Sequence, residues 1–350
     1  MNISCFVYRD INRNGSYDMP DRPFAGLPVA MQRPRAKEVV RFSNISGFTN
    51  FEMYLHNRKY DVYKVGQHTI RAMPPPGFRI TSGNASQTIS FKKVKDSPAG
   101  MAIEKTMVPV GIAPKLTISG SVEPRDTAGK NPIEFIIATP ADGSRITVPV
   151  SDSGEYSFPA VKGDWKLEFV DREAKSFTRE VSVGDYPLLV SRIDPTENVS
   201  PAKPDLRRVG FDDLTISDTL YEVPNGYGDL HWTNWIATHH KFYSGAGYIN
   251  ATVSSEFIAY NSSGHPGDIW SEEGFDFAGV HLAVAWNNAE PHDVVIRAWR
   301  GDEMVYEDRV RGAVSGPFYF DADYQNITRL EFSHEACWQI ILDDFEYRID

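Results

Sequence analysis

What this 350-residue sequence lacks narrows its reading before any motif is met. It holds two cysteines, Cys5 and Cys337, at opposite ends of the chain and in different expected domains. That spacing suits neither a disulfide framework nor a zinc site, and two small buried thiols are the plainer expectation. No apolar run approaches the roughly 18 residues needed to span a bilayer. No secretory leader is evident, because Asn2-Ile3-Ser4-Cys5-Phe6-Val7-Tyr8 reads as a strand. A basic surface is missing too. The formal charge is −11, which argues against a nucleic-acid partner, since phosphate binding needs Lys and Arg in excess. Helical periodicity is nearly absent. So are a nucleophile elbow, a His-Glu-x-x-His pair and a phosphate loop. No enzyme activity is expected. Acid–base pairs would have to be drawn from His239, His240, Asp229, Asp268, Glu272 and Glu273, and paired carboxylates are common in so acidic a chain.

What is present reads as strand. Short runs alternate in period two and are broken by Gly, Pro, Asn and Asp at intervals of about 8–12 residues, the rhythm of sandwiches and barrels. It is clearest from Leu116 to Ile193. There Leu116–Val122, Ile133–Ala138, Arg145–Val150, Glu155–Phe158, Trp165–Val170, Phe177–Val183 and Leu188–Ile193 are expected as strands of a small Greek-key sandwich. Val110–Lys115 is short and Pro-containing. Asp194–Pro204 is polar with three prolines, a stiff linker by composition. Boundaries near 114 and 205 follow. The expected domains are 1–113, 114–195 and 207–350, with a Pro-rich linker at 196–206, and linkers this short make a semi-rigid rod. Asn-x-Ser/Thr occurs at Asn2, Asn44, Asn84, Asn198, Asn250, Asn261 and Asn326. In a eukaryotic secretory protein these would be glycosylation sites, although turn-rich β sequences also accumulate them.

The sharpest motif is Asp10-Ile11-Asn12-Arg13-Asn14-Gly15-Ser16-Tyr17-Asp18-Met19-Pro20-Asp21. Oxygen-bearing side chains stand at loop positions 1, 3, 5, 9 and 12 with Gly at 6, the pattern of a twelve-residue calcium loop. Alternate residues turn inward as the chain wraps an ion, and Gly15 permits the sharp bend. Asp10, Asn12, Asn14, Asp18 and Asp21 are the expected side-chain ligands, and Ser16 would offer its backbone carbonyl. Asp21 stands where Glu ordinarily chelates through both oxygens, and two ligands are neutral amides, so weaker binding is expected. The flanks are strand-like, with Phe6-Val7-Tyr8 before the loop and Phe24-Ala25-Gly26-Leu27-Pro28-Val29 after it. Pro74-Pro75-Pro76-Gly77-Phe78, Gly83-Asn84 and Gln87 follow. Residues 3–113 thereby resemble the calcium-binding B repeats of SdrD-type surface proteins, which implies a calcium-stabilised sandwich. The stretch between Arg33 and Tyr63 is more basic and less regular than that pattern.

Further along, Ser151-Asp152-Ser153-Gly154-Glu155-Tyr156-Ser157-Phe158 and Gly163-Asp164-Trp165-Lys166-Leu167-Glu168-Phe169 make residues 114–195 similar to the carboxypeptidase regulatory-like or transthyretin-like sandwich. A spacer is the expected role. After Val209 the composition changes, and six of the seven tryptophans lie there. Phe211-Asp212-Asp213-Leu214 opens this segment and Leu342-Asp343-Asp344-Phe345-Glu346-Tyr347 closes it. Between them come Pro224–Trp232, Ser244–Tyr248, Ala259-Tyr260-Asn261 and Ala283–Asn287. The series resembles an uncharacterised jelly-roll domain of secreted proteins, similar in fold to carbohydrate-binding modules. That resemblance implies adjacent first and last strands, with Asp212 and Asp343 as ligands of a second calcium. The fold class is therefore all-β: three consecutive sandwiches, two Ig-like or prealbumin-like and a C-terminal jelly roll.

Sugar rings stack their C–H faces on exposed aromatics while amides and carboxylates bond the hydroxyls. Tyr227, Trp232, Trp235, Tyr243, Tyr260 and Asn261 fall in turn-rich segments and are the candidates. Trp286 and Trp299 lie in apolar runs and read as core. The function expected is a calcium-stabilised, monomeric extracellular or cell-surface protein whose jelly roll binds a polysaccharide or glycoprotein glycan. An adhesive or scaffolding rod without a small-ligand site is the alternative, favoured if the aromatics are buried. A polysaccharide-active hydrolase or lyase is the weaker one, and a cleft holding two carboxylates would favour it.

Overall fold

The computed structural model describes residues 2–52, 65–95, 101–103, 106–123, 131–194, 205–214, 219–254 and 256–349. The chain folds as two compact units, Met1–Lys115 and Leu116–Asp350, and both are all-β. Among the described residues the helical content is one short helix, Ala246–Ala251, and a single 3-10 turn at Ser262–Gly264.

The first unit is a sandwich of two five-stranded sheets. Alternation in Asn2–Arg9 turns Ile3, Cys5 and Val7 inward, where they meet Val29, Met31, Ile70 and Phe91 of the opposite sheet. Asn2–Arg9 pairs in parallel with Val110–Pro114 and antiparallel with Phe48–Glu52. Both ends of the unit are thus fixed in one sheet. Cys5 is buried, and burial pushes its thiol up to about 11. Cys337, expected buried, is exposed instead. It sits in a left-handed turn at φ 54°, where its amide donates to the His334 carbonyl at 2.9 Å.

The second unit holds two sandwiches that share one sheet. A four-stranded sheet orders Ile146–Pro149, Ile133–Pro140, Gly163–Asp171 and Ser176–Val183. It packs Ile136, Leu167, Phe169 and Val183 against Ile118, Phe158, Leu188 and Val190. Those last four belong to the end of a 13-stranded sheet that continues into the C-terminal segment. The joining element is Leu188–Val190, which pairs in parallel with Thr117–Ser121 on one side and with Phe318–His334 on the other. Residues 195–204, most of the expected linker, lie outside the described residues.

In the C-terminal segment two long strands, Gly267–Val284 and Phe318–His334, run antiparallel through three register shifts between Trp270 and Gly279. Bulges of this kind bend a strand so that it can serve both layers of a sandwich. The core between the layers includes Trp235, Phe277, Leu282, Phe320, Phe332 and Phe345. Arg207–Val209 pairs with Ile340–Arg348, Val209 opposite Phe345, so the first and last strands of this segment are neighbours.

Candidate functional site

The loop between Asp10 and Asp21 is organised by its own side-chain oxygens. Both carboxylates at its ends are buried, Asp10 at 1% exposure and Asp21 at 8%. Asp10 accepts from the Asn14 amide at 3.1 Å and the Gly15 amide at 2.8 Å. Asp21 accepts from Ile11 N at 2.9 Å and Asp18 N at 3.1 Å. The Asn12 and Asn14 carbonyl oxygens accept from Asn14 N and Ser16 N at 3.1 and 2.8 Å. Their amide nitrogens both donate to Asp18, at 2.8 Å each. Gly15 has φ +78°, and a Cβ there would stand 3.1 Å from the Thr81 carbonyl oxygen.

Three carboxylates are therefore folded close together. Burial pushes the Asp21 carboxyl up, and the Asp10 and Asp18 charges add to the shift. Burial and the same three acids raise the Tyr8 hydroxyl to about 12. The donor set is all oxygen, the chemistry calcium takes, and a divalent cation would relieve the crowding. Among the described residues, though, no three His, Cys, Asp or Glu side chains are converged as a metal cage. In this loop the Asn12 and Asn14 nitrogens, not their oxygens, face Asp18.

Asp212 and Asp343 are brought into electrostatic reach of each other and of Asp344. Asp343 is fully buried, and burial drives its carboxyl well up. Its oxygens accept from the Val253, Ser254 and Asp344 amides at 2.6, 3.2 and 2.8 Å. Asp212 accepts from Glu256 N and Phe257 N, both at 3.0 Å. Asp344 accepts from Ser254 Oγ at 2.8 Å. The cluster ties Val253 and Ser254 to the last strand and Glu256 and Phe257 to Asp212.

The residues expected to stack on sugar do not form a platform. Trp232, Trp235 and Tyr260 are 3%, 1% and 5% exposed, so their ring faces are packed away from solvent. Trp235 lies against the Cα of Gly267, where a Cβ would come within 2.5 Å of the indole. Asn261 is fully buried; it donates to the His265 carbonyl at 2.7 Å and accepts from Ile340 N at 2.6 Å. Burial also closes Asn250 and Asn261 to glycosylation in the folded chain. Tyr227 is half-buried, its hydroxyl donating to Asp213 at 2.6 Å. Tyr243 is half-buried in a small second core with Tyr248, Tyr260 and Trp286. These aromatics became core because each sits on or beside a strand whose inward face they fill, which turn-rich flanks had hidden.

The tryptophans that reach the surface are others. Trp270 stacks on His231 at 4.0 Å, and the Arg329 guanidinium lies 4.5 Å over Trp299. The four stand in one row across the sheet, His231–Trp270–Arg329–Trp299, and each ring has a face occupied by its neighbour. The possible acid–base groups are dispersed. Asp229 pairs with Arg207 at 2.5 Å, Asp268 with Arg329 at 2.7 Å, and His239 with Glu256 at 3.3 Å.

Sequence reasoning missed a cleft within the second unit. It is open, about 1070 Å³, and runs between the outward face of strands 163–171 and 176–183 and the outer face of strands 267–284, 318–334 and 340–348. Along one wall buried Tyr186, half-buried His281 and half-buried Tyr319 make successive edge-to-face contacts, with ring centroids 5.2 and 5.0 Å apart. Arg179 bridges the walls to Asp321 at 3.2 Å, with side-chain exposures of 13% and 21%. Tyr319 donates to Glu346 at 2.7 Å. Gly279 stands opposite both Asp321 and Glu346, so these two positions flank it about 10 Å apart at ordinary strand spacing. A Cβ on Gly279 would fall 2.4 Å from the Tyr319 hydroxyl; the glycine makes room for it. Burial raises the Asp321 carboxyl, with Arg179 pulling it back, and raises Glu346, with the Tyr319 hydrogen bond opposing. The signal available in the sequence was the alternation Tyr319-Phe320-Asp321-Ala322-Asp323-Tyr324, whose odd positions face outward. It could not reveal what stood opposite them.

No family model matches the chain, and no curated protein matches it. Solved structures are similar only loosely. The Bacillus anthracis TIE protein is 12% identical with a TM-score of 0.22, over 55% of this chain and 34% of that one. The chain thus spans about a third of that protein's length. The shaft pilin SpaA of Lactobacillus rhamnosus GG is 10% identical with a TM-score of 0.23, over 57% of this chain and 99% of the pilin. The Bacillus cereus major pilin subunit BcpA is 11% identical with a TM-score of 0.21, over 53% and 69%.

Proposed function

We propose that the chain is a non-catalytic protein of the cell exterior, in which the first unit is a calcium-stabilised sandwich and the second binds a glycan. The observation that carries the binding half is the cleft of the second unit, where the rings of His281 and Tyr319 stand beside carboxylates already hydrogen-bonded to Arg179 and Tyr319. Ligand sites pair apolar surface with a few placed polar groups in this way. The calcium half rests on the loop. Asp10, Asn12, Asn14, Asp18 and Asp21 would supply side-chain oxygens and Ser16 its carbonyl, once the Asn12 and Asn14 amides release Asp18. Calcium would then act by mass action on stability and not by chemistry.

Two measurements test this reading. Calcium at about a hundredfold over its Kd should stabilise the first unit by about 2.7 kcal/mol, roughly 10 °C in Tm, followed by calorimetry on the whole chain. Asp10→Ala should remove that rise. A calcium-independent wild-type transition rejects the loop assignment. A glycan array of the whole chain should give hits in one sugar class. The buried Trp232, Trp235 and Tyr260 favour a second reading, a scaffold with no small ligand, and a blank array from folded protein selects it.

A further inference from the structure

We infer that the cleft of the second unit takes a neutral oligosaccharide and rejects acidic glycans; the inference rests on the glycan-binding reading above and names its ligand class and place. Charge is the first reason. The lining carries five carboxylates, at Asp164, Glu180, Asp321, Asp323 and Glu346. Only three cations accompany them, Lys166, Arg179 and Arg348, and Arg179 is committed to Asp321. Recognition of a carboxylate, sulfate or phosphate needs uncommitted Arg or Lys in a fork, and like charges across a binding surface repel. An acidic sugar would enter a field of its own sign.

Hydrogen-bond chemistry is the second reason. The Arg348 Nε–H is shut away from solvent, so the polar groups the lining presents are mostly carboxylates, acceptors that call for donors. Sugar hydroxyls donate, and an anion cannot. The half-buried rings of His281 and Tyr319 offer apolar surface for the C–H face of the sugar. At about 1070 Å³ the cleft exceeds what one ring fills, since whole drug-sized ligands occupy roughly 300–1,000 Å³.

The test uses the whole chain on an array of neutral, uronate-bearing, sialylated and sulfated oligosaccharides, with calcium and with chelator. Hits should be confined to neutral oligosaccharides and should survive the chelator, because neither the Asp10–Asp21 loop nor the Asp212–Asp343 pair lines the cleft. Ser182→Trp, at an exposed position on the cleft wall, should weaken them at least about tenfold by filling the space. Asp164→Lys with Glu180→Lys, both exposed, turns an excess of carboxylates into an excess of cations and should shift preference toward acidic sugars. Stronger wild-type binding to acidic glycans overturns the inference, as does neutral binding that neither variant changes; in both cases the glycan-binding reading stands. A blank array from folded protein overturns both.

Discussion

At the scale of single residues, the structure assigns several polar and aromatic groups to packing. Trp235 is the plainest case, sealed against Gly267 and Phe332. Trp235→Ala should cost about 3–5 kcal/mol in urea denaturation, the usual range for deleting a buried large ring. A cost near zero would mean the ring is a surface platform after all. Ser43 is a second example, buried beside the loop that follows the calcium motif. It donates to the Phe24 carbonyl at 2.7 Å and accepts from Leu27 N at 2.9 Å. Ser43→Ala strands both backbone groups and should cost about 1–3 kcal/mol by the same measurement.

At the scale of elements, the short strand Leu188–Val190 has the largest consequence for its length. It is interior to the shared sheet, pairing on both sides, and among the described residues it alone carries the ladder from Thr117–Ser121 to Phe318–His334. Around it Ser191 N donates to the Asp321 carbonyl and Tyr319 N to the Pro187 carbonyl, each at 2.9 Å. Proline at an interior strand position removes a ladder donor. Leu189→Pro should therefore split the melting of the second unit into two calorimetric transitions, one for each sandwich. A single transition at lower temperature would show that packing and the Arg179–Asp321 pair couple them without this strand.

At the scale of the whole molecule, buried acids set the response to pH. Burial raises Asp308 and Asp321 in the folded second unit, against partial offsets from Tyr324 and Arg179 respectively. The folded state then holds these protons more tightly than the unfolded chain does. Their contribution to stability is complete below the ordinary Asp value of about 3.9 and is lost as pH rises through the raised folded values. Glu256 and Glu307 are lowered by His239 and Arg297, and they act in the opposite sense, below the ordinary Glu range. Asp343 and Glu346 are raised by burial in the same sense, while burial lowers His334, which opposes them as pH falls through the ordinary His value of about 6.5. Asp308→Asn should therefore lose part of whatever Tm the wild type gains on acidification toward the ordinary Asp value, at roughly 2–4 °C for each kcal/mol, in a pH series of melts.

The chain's local order was legible in its sequence, and its assembly was not. All seven strands expected between Leu116 and Ile193 form, within a few residues of their expected ends, because period-two alternation and turn residues act over a handful of neighbours. The loop after Asp10 closes for the same local reason: Asp10 and Asn12 side chains bond amides two to five residues away. Which aromatics face solvent was decided by strand register. Turn-rich flanks suggested exposure for Trp232, Trp235 and Tyr260, and one-residue parity in the sheet buried them instead. The cleft was decided by tertiary structure alone. Asp321 and Arg179 lie 142 residues apart in sequence, and they meet because the strand at 188–190 joins two sandwiches into one sheet. No local pattern encodes that pairing.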